Sequence, residues 1–281
     1  MTEGRSEAPR LSPRLRKIAE FAGNGLRLAD VGTDHAFVPI ALIKAGRIPA
    51  AYALDLREGP LKRAEEHLSE FGVQGRVELR LSDGLSAMQP GEAESVLIAG
   101  MGGELMIRIL KDAFQRDRAF RRTTFFGTVR EWIFSPHTEW EEFRRFLLET
   151  DLRITREELV CEDRKFYLIM KAVPGDAAMP YREAGRAGFS MDSALRFGPL
   201  MLLSRDPVLF SFLLREREKT ERIERRLAQS TAESAAEDRR AELREYIDKI
   251  SKLITMFSNS GIIVDDPLPA PEPAIRASQT Q

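Results

Sequence analysis

Four carboxylates stand in three short, turn-like stretches of the sequence. Asp30 and Asp34 lie in "ADVGTDHA", Asp55 in "LDLR" and Asp83 in "LSDG". His35 follows Asp34 directly. Two further stretches share the turn-like character: "AGMGG", Ala99–Gly103, and "FSPH", which supplies Ser135 and His137. The acids restrict the chemistry. A bound pyrophosphate needs backbone N–H groups, a helix dipole and closely spaced glycines. "ADVGTDHA" has one glycine, Gly32, and its carboxylates would repel a phosphate. Such a set suits a cationic or neutral ligand rich in hydrogen-bond donors, because each carboxylate accepts two of them.

The elements that must hold these turns are readable from spacing. "LRLADVG", "AAYALDL", "RVELRLSDG", "SVLIAGMGG" and "VREWIFSP" read as five strands, each ending at one of the turns. Helical stretches separate them: "VPIALIKAG", "GPLKRAEEHLSEFG", "GELMIRILKDAF" and, last, "EWEEFRRFLLET". An earlier helix starts in "SPRLRKIAEFAGNG", with Ser12 as N-cap and Pro13 at its first position, and stops at Gly23 or Gly25. Alternating strands and helices predict an α/β fold, a doubly wound, mostly parallel sheet with helices on both faces. "RITREELVCED" and "KFYLIMKAVP" then predict an antiparallel hairpin at the sheet edge.

After Pro174 the composition shifts. A connector, "GDAAMPYREAGRAGFSMDSALRFGPLMLLSRDP", leads to two long charged helices joined by "STAESAAED". In the second, Leu243, Ile247, Ile250, Ile254 and Phe257 step by four and three, a heptad seam that predicts a coiled-coil-like antiparallel pair. The first carries Leu209, Leu213, Ile223 and Leu227 more loosely. The expected division is 11–174, 175–260 for a helical domain, and a proline-rich tail over 261–281 without core residues, expected to be disordered.

In an open α/β sheet, ligands sit outside the carboxyl ends of the strands. S-adenosyl-L-methionine matches what stands there: a sulfonium, an ammonium, ribose hydroxyls and an adenine amine. Asp30 and Asp34 suit the cationic end, and Gly32 lets the backbone pass close. Asp55, with Leu56 beside it, is placed for the ribose hydroxyls, and Asp83, between Ser82 and Gly84, for the adenine amine. Ala99, Gly100, Met101 and Gly102 leave room for a flat base. Singly, Asp83-Gly84 is an ordinary turn, Asp55 a helix cap and Gly103 a tight bend. The joint pattern is the specific one. His35 has two readings, orienting a substrate or donating to a backbone carbonyl. Phe134 reads as core, Trp132 and Trp140 as core or base-stacking, and His67 as a solvated helix-surface residue.

Composition excludes some classes. Lys+Arg number 43 and Asp+Glu 44 over 281 residues, so there is no overall basic excess to attract nucleic acid, though a local basic face remains open. The lone Cys161 and three scattered histidines give no metal-ligand spacing, so no metal is expected. No apolar stretch reads as a signal peptide or a membrane span. A cytoplasmic location is expected, with no membrane partner; the sequence leaves the oligomeric state open and favours a monomer.

"RLADVGTDHAFVPIALIKAG", "DLREGPLKRAEEHL", "LRLSDGL", "IAGMGG" and "FGPLMLLSRDPVLFSFLLREREKTERIERRL" together resemble the TrmK family of bacterial tRNA (adenine-N1)-methyltransferases, from about Leu11 to Phe257. The resemblance implies a class I methyltransferase (Rossmann-like) domain with a seven-stranded sheet, followed by a small helical domain. It also implies methyl transfer from S-adenosylmethionine to N1 of an adenine near the tRNA D-arm, of the adenine-22 type. The chain departs from the family after the fifth strand. There "FSPHTEW" puts Ser135, His137 and Thr138 where the family shows a Gln-Pro-Asn-like stretch, which assigns Ser135 and His137 to the substrate side. Methylated adenine is cationic, so a carboxylate nearby would stabilise it. Asp34 is the first candidate for that catalytic role and His35, orienting or proton-accepting, the second. Other readings stay open: methyl transfer to another RNA or a small molecule, or non-catalytic cofactor binding. A nicotinamide oxidoreductase is opposed by the missing glycines. The helical pair reads either as a tRNA clamp through Arg215, Arg217, Arg222, Arg225 and Arg226, or as a solvated coil whose Glu216, Glu218, Glu221 and Glu224 pair with those arginines.

Overall fold

Strands β1 (Leu28–Val31), β2 (Ala51–Asp55), β3 (Val77–Leu81), β4 (Ser95–Ala99), β5 (Glu131–Ser135), β6 (Leu152–Glu162) and β7 (Lys165–Pro174) form one sheet in the order β3-β2-β1-β4-β5-β7-β6. The computed structural model describes residues 7–119, 125–229 and 234–259. β1 to β5 pair in parallel, and β7 runs antiparallel to both β5 and β6. The strand order reverses between β1 and β4, which opens a crevice at their carboxyl ends. The hairpin joining β6 to β7 turns on Asp163 and Arg164, at φ 48° and 62°. Two left-handed residues in a two-residue loop match the twist of the strands they join.

The first helices lie on one face. Ser12 caps α1 (Pro13–Phe21), its Oγ accepting from the Leu15 N–H at 3.3 Å. α2 (Phe37–Lys44) is apolar almost all round and is correspondingly buried, with Val38, Pro39, Ile40, Leu42 and Ile43 all covered. α3 (Glu58–Glu70) buries only Pro60, Ala64 and Leu68, a stripe of period four. These three helices share one core with Leu28, Leu97, Ile133 and Ile169 from the sheet. α4 (Gly103–Ala119), α5 (Phe125–Thr128) and α6 (Trp140–Leu148) follow. Phe134 of β5 meets Phe143 of α6 edge-on at 5.0 Å, and both rings are buried. Because β5 is covered on both faces, its run of Trp132, Ile133 and Phe134 is continuously apolar.

The domain boundary differs from the composition-based expectation. The first compact unit runs to Asp206, not Pro174, and the second begins at Pro207. The expected connector folds into three short helices: α7 (Met179–Arg186), α8 (Met191–Phe197) and α9 (Pro199–Ser204). α8 and α9 dock through a buried ion pair. Arg144 of α6 and Glu157 of β6 have fully buried side chains and meet at 3.1 Å. Arg144 also donates to the carbonyls of Leu195 and Arg196, both at 3.1 Å, while Glu157 accepts from the Leu200 N–H at 2.8 Å. Gly198, at φ 94°, sits so close that a Cβ would lie 2.6 Å from the Glu157 carboxylate. Helices of six to eight residues between glycines carry too little periodicity to be told from a linker.

The second unit is the expected helix pair, α10 (Pro207–Gln229) and α11 (Ser234–Ser258). Leu243, Ile250, Ile254 and Phe257 are buried, as the heptad spacing requires, together with Leu253, whereas Ile247 is only half-buried. On α10, Leu209, Phe210 and Leu213 are buried, and Ile223 is 41% exposed. Part of "STAESAAED" and the whole 261–281 tail lie outside the described residues.

Candidate active site

The first turn is built around a close approach. β1 ends at Val31, and the N–H groups of Gly32 and Thr33 both donate to the Leu54 carbonyl of β2, at 2.8 and 2.9 Å. Gly32 adopts φ 74°, and a Cβ there would stand 2.6 Å from Cε of Met101. Any other residue would be strained at that φ, and the Met101 side chain would have to move aside. His35 and Ala36 then take φ 69° and 54° before α2 begins. Left-handed backbone at two successive non-glycine residues is uncommon, and it aims the His35 ring back over the turn.

Asp30 and Asp34, four residues apart, meet different environments. Asp30 is 8% exposed, and its one hydrogen-bond donor is the Thr33 hydroxyl at 2.7 Å. Burial, with the nearby charge of Asp55 as a smaller contribution, raises its pKa to about 6 despite that hydrogen bond. No cation among the described residues offsets it. Asp34 is exposed and bonded to the Arg63 guanidinium of α3 at 2.8 Å, with His35 Nε2 at 3.5 Å. Its charge is already balanced by the protein. The His35 ring stacks on Phe37 at 5.2 Å and tilts against His67 at 4.9 Å, and its buried Nδ1 has no hydrogen-bond partner. His67 is therefore not the solvated residue its charged helix suggested. It is half-buried, Nδ1 lies 3.3 Å from the His35 carbonyl, and the ring packs on Phe37 at 4.7 Å. Helical spacing alone does not show which face of α3 meets the first turn.

The turn is one wall of a cleft of about 380 Å³. Asp30, Gly32, Asp34, His35, Ala99, Gly100 and His137 all line it, so the structure brings these candidates together. It also adds residues that the sequence did not indicate: Arg14, Leu15 and Ile18 from α1, and Phe37 and Val38 from α2. The volume suits a small organic ligand.

The remaining candidates stand on neighbouring turns and do not line this cleft. Asp55 is half-buried and accepts from the Arg57 N–H at 2.8 Å, leaving carboxylate lone pairs toward solvent, and Leu56 beside it is 62% exposed. Asp83 is exposed. The Ser82 hydroxyl is used inside its own turn, donating to the Gly84 carbonyl at 2.9 Å and accepting from the Ala87 N–H at 3.1 Å. Gly84 is buried against Ile109, where a Cβ would come within 2.7 Å. Its glycine is explained by packing and a φ of 56°. Met101 plugs the space above Gly32, and its carbonyl accepts from the His137 N–H at 3.0 Å, tying the fourth turn to the fifth. Gly102 passes close to Thr138 and Glu139. Ser135 is fully buried with an unpartnered hydroxyl, while His137 is exposed on the rim. Trp132 and Phe134 are core, and Trp140 donates to the Pro136 carbonyl at 2.9 Å. Among the described residues no group of three or more metal-ligating side chains gathers, and no helix is long and apolar enough to cross a membrane.

The chain as a whole is similar to known proteins. A Bacillus subtilis tRNA (adenine(22)-N(1))-methyltransferase is 27% identical over 244 residues, covering 87% of this chain and 95% of that protein. The crystal structure of the B. subtilis M1A22 tRNA methyltransferase TrmK superposes with a TM-score of 0.73 at 25% identity, over 87% of this chain and 99% of the other. A Streptococcus pneumoniae protein crystallised with S-adenosyl-L-methionine superposes with a TM-score of 0.71 at 28% identity, over 87% and 100% of the two chains. The model of the methyltransferase domain matches residues 11–170, from the cap of α1 to the middle of β7, and by that match and by its strand order the chain belongs to the methyltransferase-domain family.

Proposed function

We propose that this chain transfers a methyl group from S-adenosyl-L-methionine to N1 of an adenine in tRNA, at the adenine-22 type of position near the D-arm. The observation that carries this reading is its end-to-end similarity, 87% of this chain against 95% of the relative, to a tRNA (adenine(22)-N(1))-methyltransferase. The cleft's chemistry supports it. S-adenosylmethionine, when bound, supplies an electrophilic methyl on a sulfonium. Asp30, buried without a cation of its own, offers the strongest field for the ligand's positive end. Gly32 and Gly100 let the backbone approach closely. Asp55 takes the ribose hydroxyls and Asp83 the adenine amine, each as a carboxylate accepting donors. Leu56, Ser82, Gly84, Met101 and Gly102 shape the turns that hold those groups.

Adenine N1 carries its own lone pair, so no base has to remove a proton first. The protein's task is to hold N1 in line with the methyl group, and orientation of this kind supplies roughly 7–11 kcal/mol. The N–CH₃ bond forms as the S–CH₃ bond breaks, and the positive charge moves from sulfur to the base. Asp34 stabilises that charge, moderated by Arg63, and His35 orients the base with Phe37 and His67 behind its ring. His137, exposed on the rim, belongs to the substrate side; Ser135, assigned there by its place in the sequence, is fully buried and shapes the turn beneath. The adenine must leave its stack to reach the cleft, at a few kcal/mol. The chain acts in the cytoplasm, where its substrate resides, as a monomer.

The test is incubation with labelled S-adenosylmethionine and total tRNA, followed by mapping of the modified base. Label at N1 of adenine 22 is the expected result. Label in another RNA or a small molecule would relocate the substrate, and no transfer with intact cofactor binding would make the chain a cofactor-binding protein instead.

A further inference from the structure

The first turn has two halves with separate anchors. Gly32 and Thr33 are held by the Leu54 carbonyl of β2, at 2.8 and 2.9 Å, and the Thr33 hydroxyl donates to Asp30 at 2.7 Å. The other half is His35 and Ala36, both left-handed at φ 69° and 54°. Such backbone at two successive non-glycine residues is strained and persists only where surrounding contacts impose it. Ala36 precedes α2 without a side chain that can bond to the helix end. The His35 carbonyl has a further deficit. Four residues on, where a helix would supply the N–H donor, stands Pro39, which has none.

α3 supplies the missing contacts. Arg63 and His67 are one helical turn apart and share a face. Arg63 donates to Asp34 at 2.8 Å. His67 Nδ1 lies 3.3 Å from the His35 carbonyl, and because a carbonyl oxygen only accepts, Nδ1 carries the proton. The His67 ring packs on His35 at 4.9 Å and on Phe37 at 4.7 Å. Those two rings stack on each other at 5.2 Å, with their planes 7° apart. His35 and Phe37 line the cleft, whereas His67 stands behind them and acts through them.

We propose that His67 is a positioning residue for methyl transfer: its Nδ1–H and its ring fix the left-handed His35–Ala36 segment, and with it the His35 ring that orients the incoming base. This rests on the tRNA reading above. The cofactor half of the turn keeps its own anchor in Leu54, so loss of His67 should separate turnover from cofactor binding.

The experiment compares wild type with three variants. His67→Phe keeps a ring and removes the donor. His67→Asn places an amide N–H near the position of Nδ1 and removes the ring. His67→Ala removes both. The readouts are S-adenosylmethionine affinity by calorimetry, kcat on tRNA, and amide hydrogen exchange over residues 33–38. In His67→Phe, exchange should rise roughly 10-fold, kcat should fall roughly 10-fold, and cofactor affinity should stay within about twofold, since one hydrogen bond is lost. His67→Asn should recover part of both losses, and His67→Ala should show the largest. A lowered unfolding midpoint with kcat of the folded enzyme unchanged would make His67 purely structural and overturn the proposal. Exchange equal to wild type in both His67→Phe and His67→Ala would overturn it as well. So would a fall in cofactor affinity that matches the fall in kcat/KM, which would assign His35–Ala36 to the cofactor. If the wild type itself methylates no tRNA, the tRNA reading fails; exchange that still rises in His67→Phe would then support the hold on the turn, and unchanged exchange would overturn it.

Discussion

Asp30, Glu131 and Glu157 are almost wholly buried in the first unit, and two of them, Glu157 and Asp30, are treated in opposite ways. Glu157 has Arg144 at 3.1 Å and the Leu200 N–H at 2.8 Å. Burial pushes its pKa up, and these partners pull it only part of the way back. Asp30 has one hydroxyl and no cation, and its pKa rises to about 6. A buried charge is strongly disfavoured unless it is paired. Glu157 meets that requirement within the fold and, with Arg144, holds α8 and α9 onto α6 and β6. Asp30 does not, and it faces a cleft. The difference separates a charge that serves architecture from one whose partner is a ligand.

The largest effect should come from breaking the architectural pair. Arg144→Met leaves Glu157 buried and unpaired and is expected to cost about 3–5 kcal/mol of stability, read from the urea midpoint. A loss below about 1 kcal/mol would show that the node is solvated and that the contrast with Asp30 is false.

Asp30→Asn should act in the reverse direction. A carboxyl whose folded pKa lies above its unfolded one binds protons better in the folded state, so stability falls as pH rises from about 4 to about 6 and is level above that. Asp30→Asn removes this dependence and is expected to raise stability at pH 7.5 by up to about 3 kcal/mol, the equivalent of a two-unit shift. The same variant should weaken S-adenosylmethionine roughly 10- to 100-fold. Urea midpoints at pH 4.5 and 7.5, with titration calorimetry, check both halves. A variant that is less stable yet binds normally would assign Asp30 to the fold.

The pH dependence of binding in the wild type sharpens the point. Only ionised Asp30 pairs with an ammonium. Cofactor affinity should be level above about pH 7 and fall toward tenfold per pH unit below about 6. A flat affinity from pH 5 to 7.5 would remove Asp30 from the ligand's charge balance.

Exposed pairs should matter least. Asp34→Ala, which loses the Arg63 contact, is expected to change stability by less than about 1 kcal/mol and to keep cofactor binding better than Asp55→Ala, while lowering turnover. On α10, Arg217 and Arg222 pair with Glu221 and Glu218 within the helix. Replacing both with Gln should leave the salt dependence of tRNA binding unchanged, whereas a drop in slope would restore these arginines as phosphate contacts.

How much of this was legible in the sequence follows from the range of the forces involved. The strand order, the longer helices, the Ser12 cap, the β6–β7 hairpin and the heptad seam are local patterns of two to seven residues, and these were readable. So was the placement of Gly32, Asp34 and His35 in one turn just after Asp30 of β1, because a strand must end before a helix begins. The sequence could not show that Asp30 is buried without a cation while Asp34, four residues on, is bonded to Arg63, since that depends on how α3 packs. Nor could it show His67 beneath His35, or Arg14 on Tyr167 across 153 positions of chain. The short helices α8 and α9 look like linker until Arg144 and Glu157 dock them. Periodicity decided the elements and the chemistry available at their ends. Which charges meet, and which one is left for a ligand, was decided by packing between residues far apart in the chain, where no spacing rule reaches.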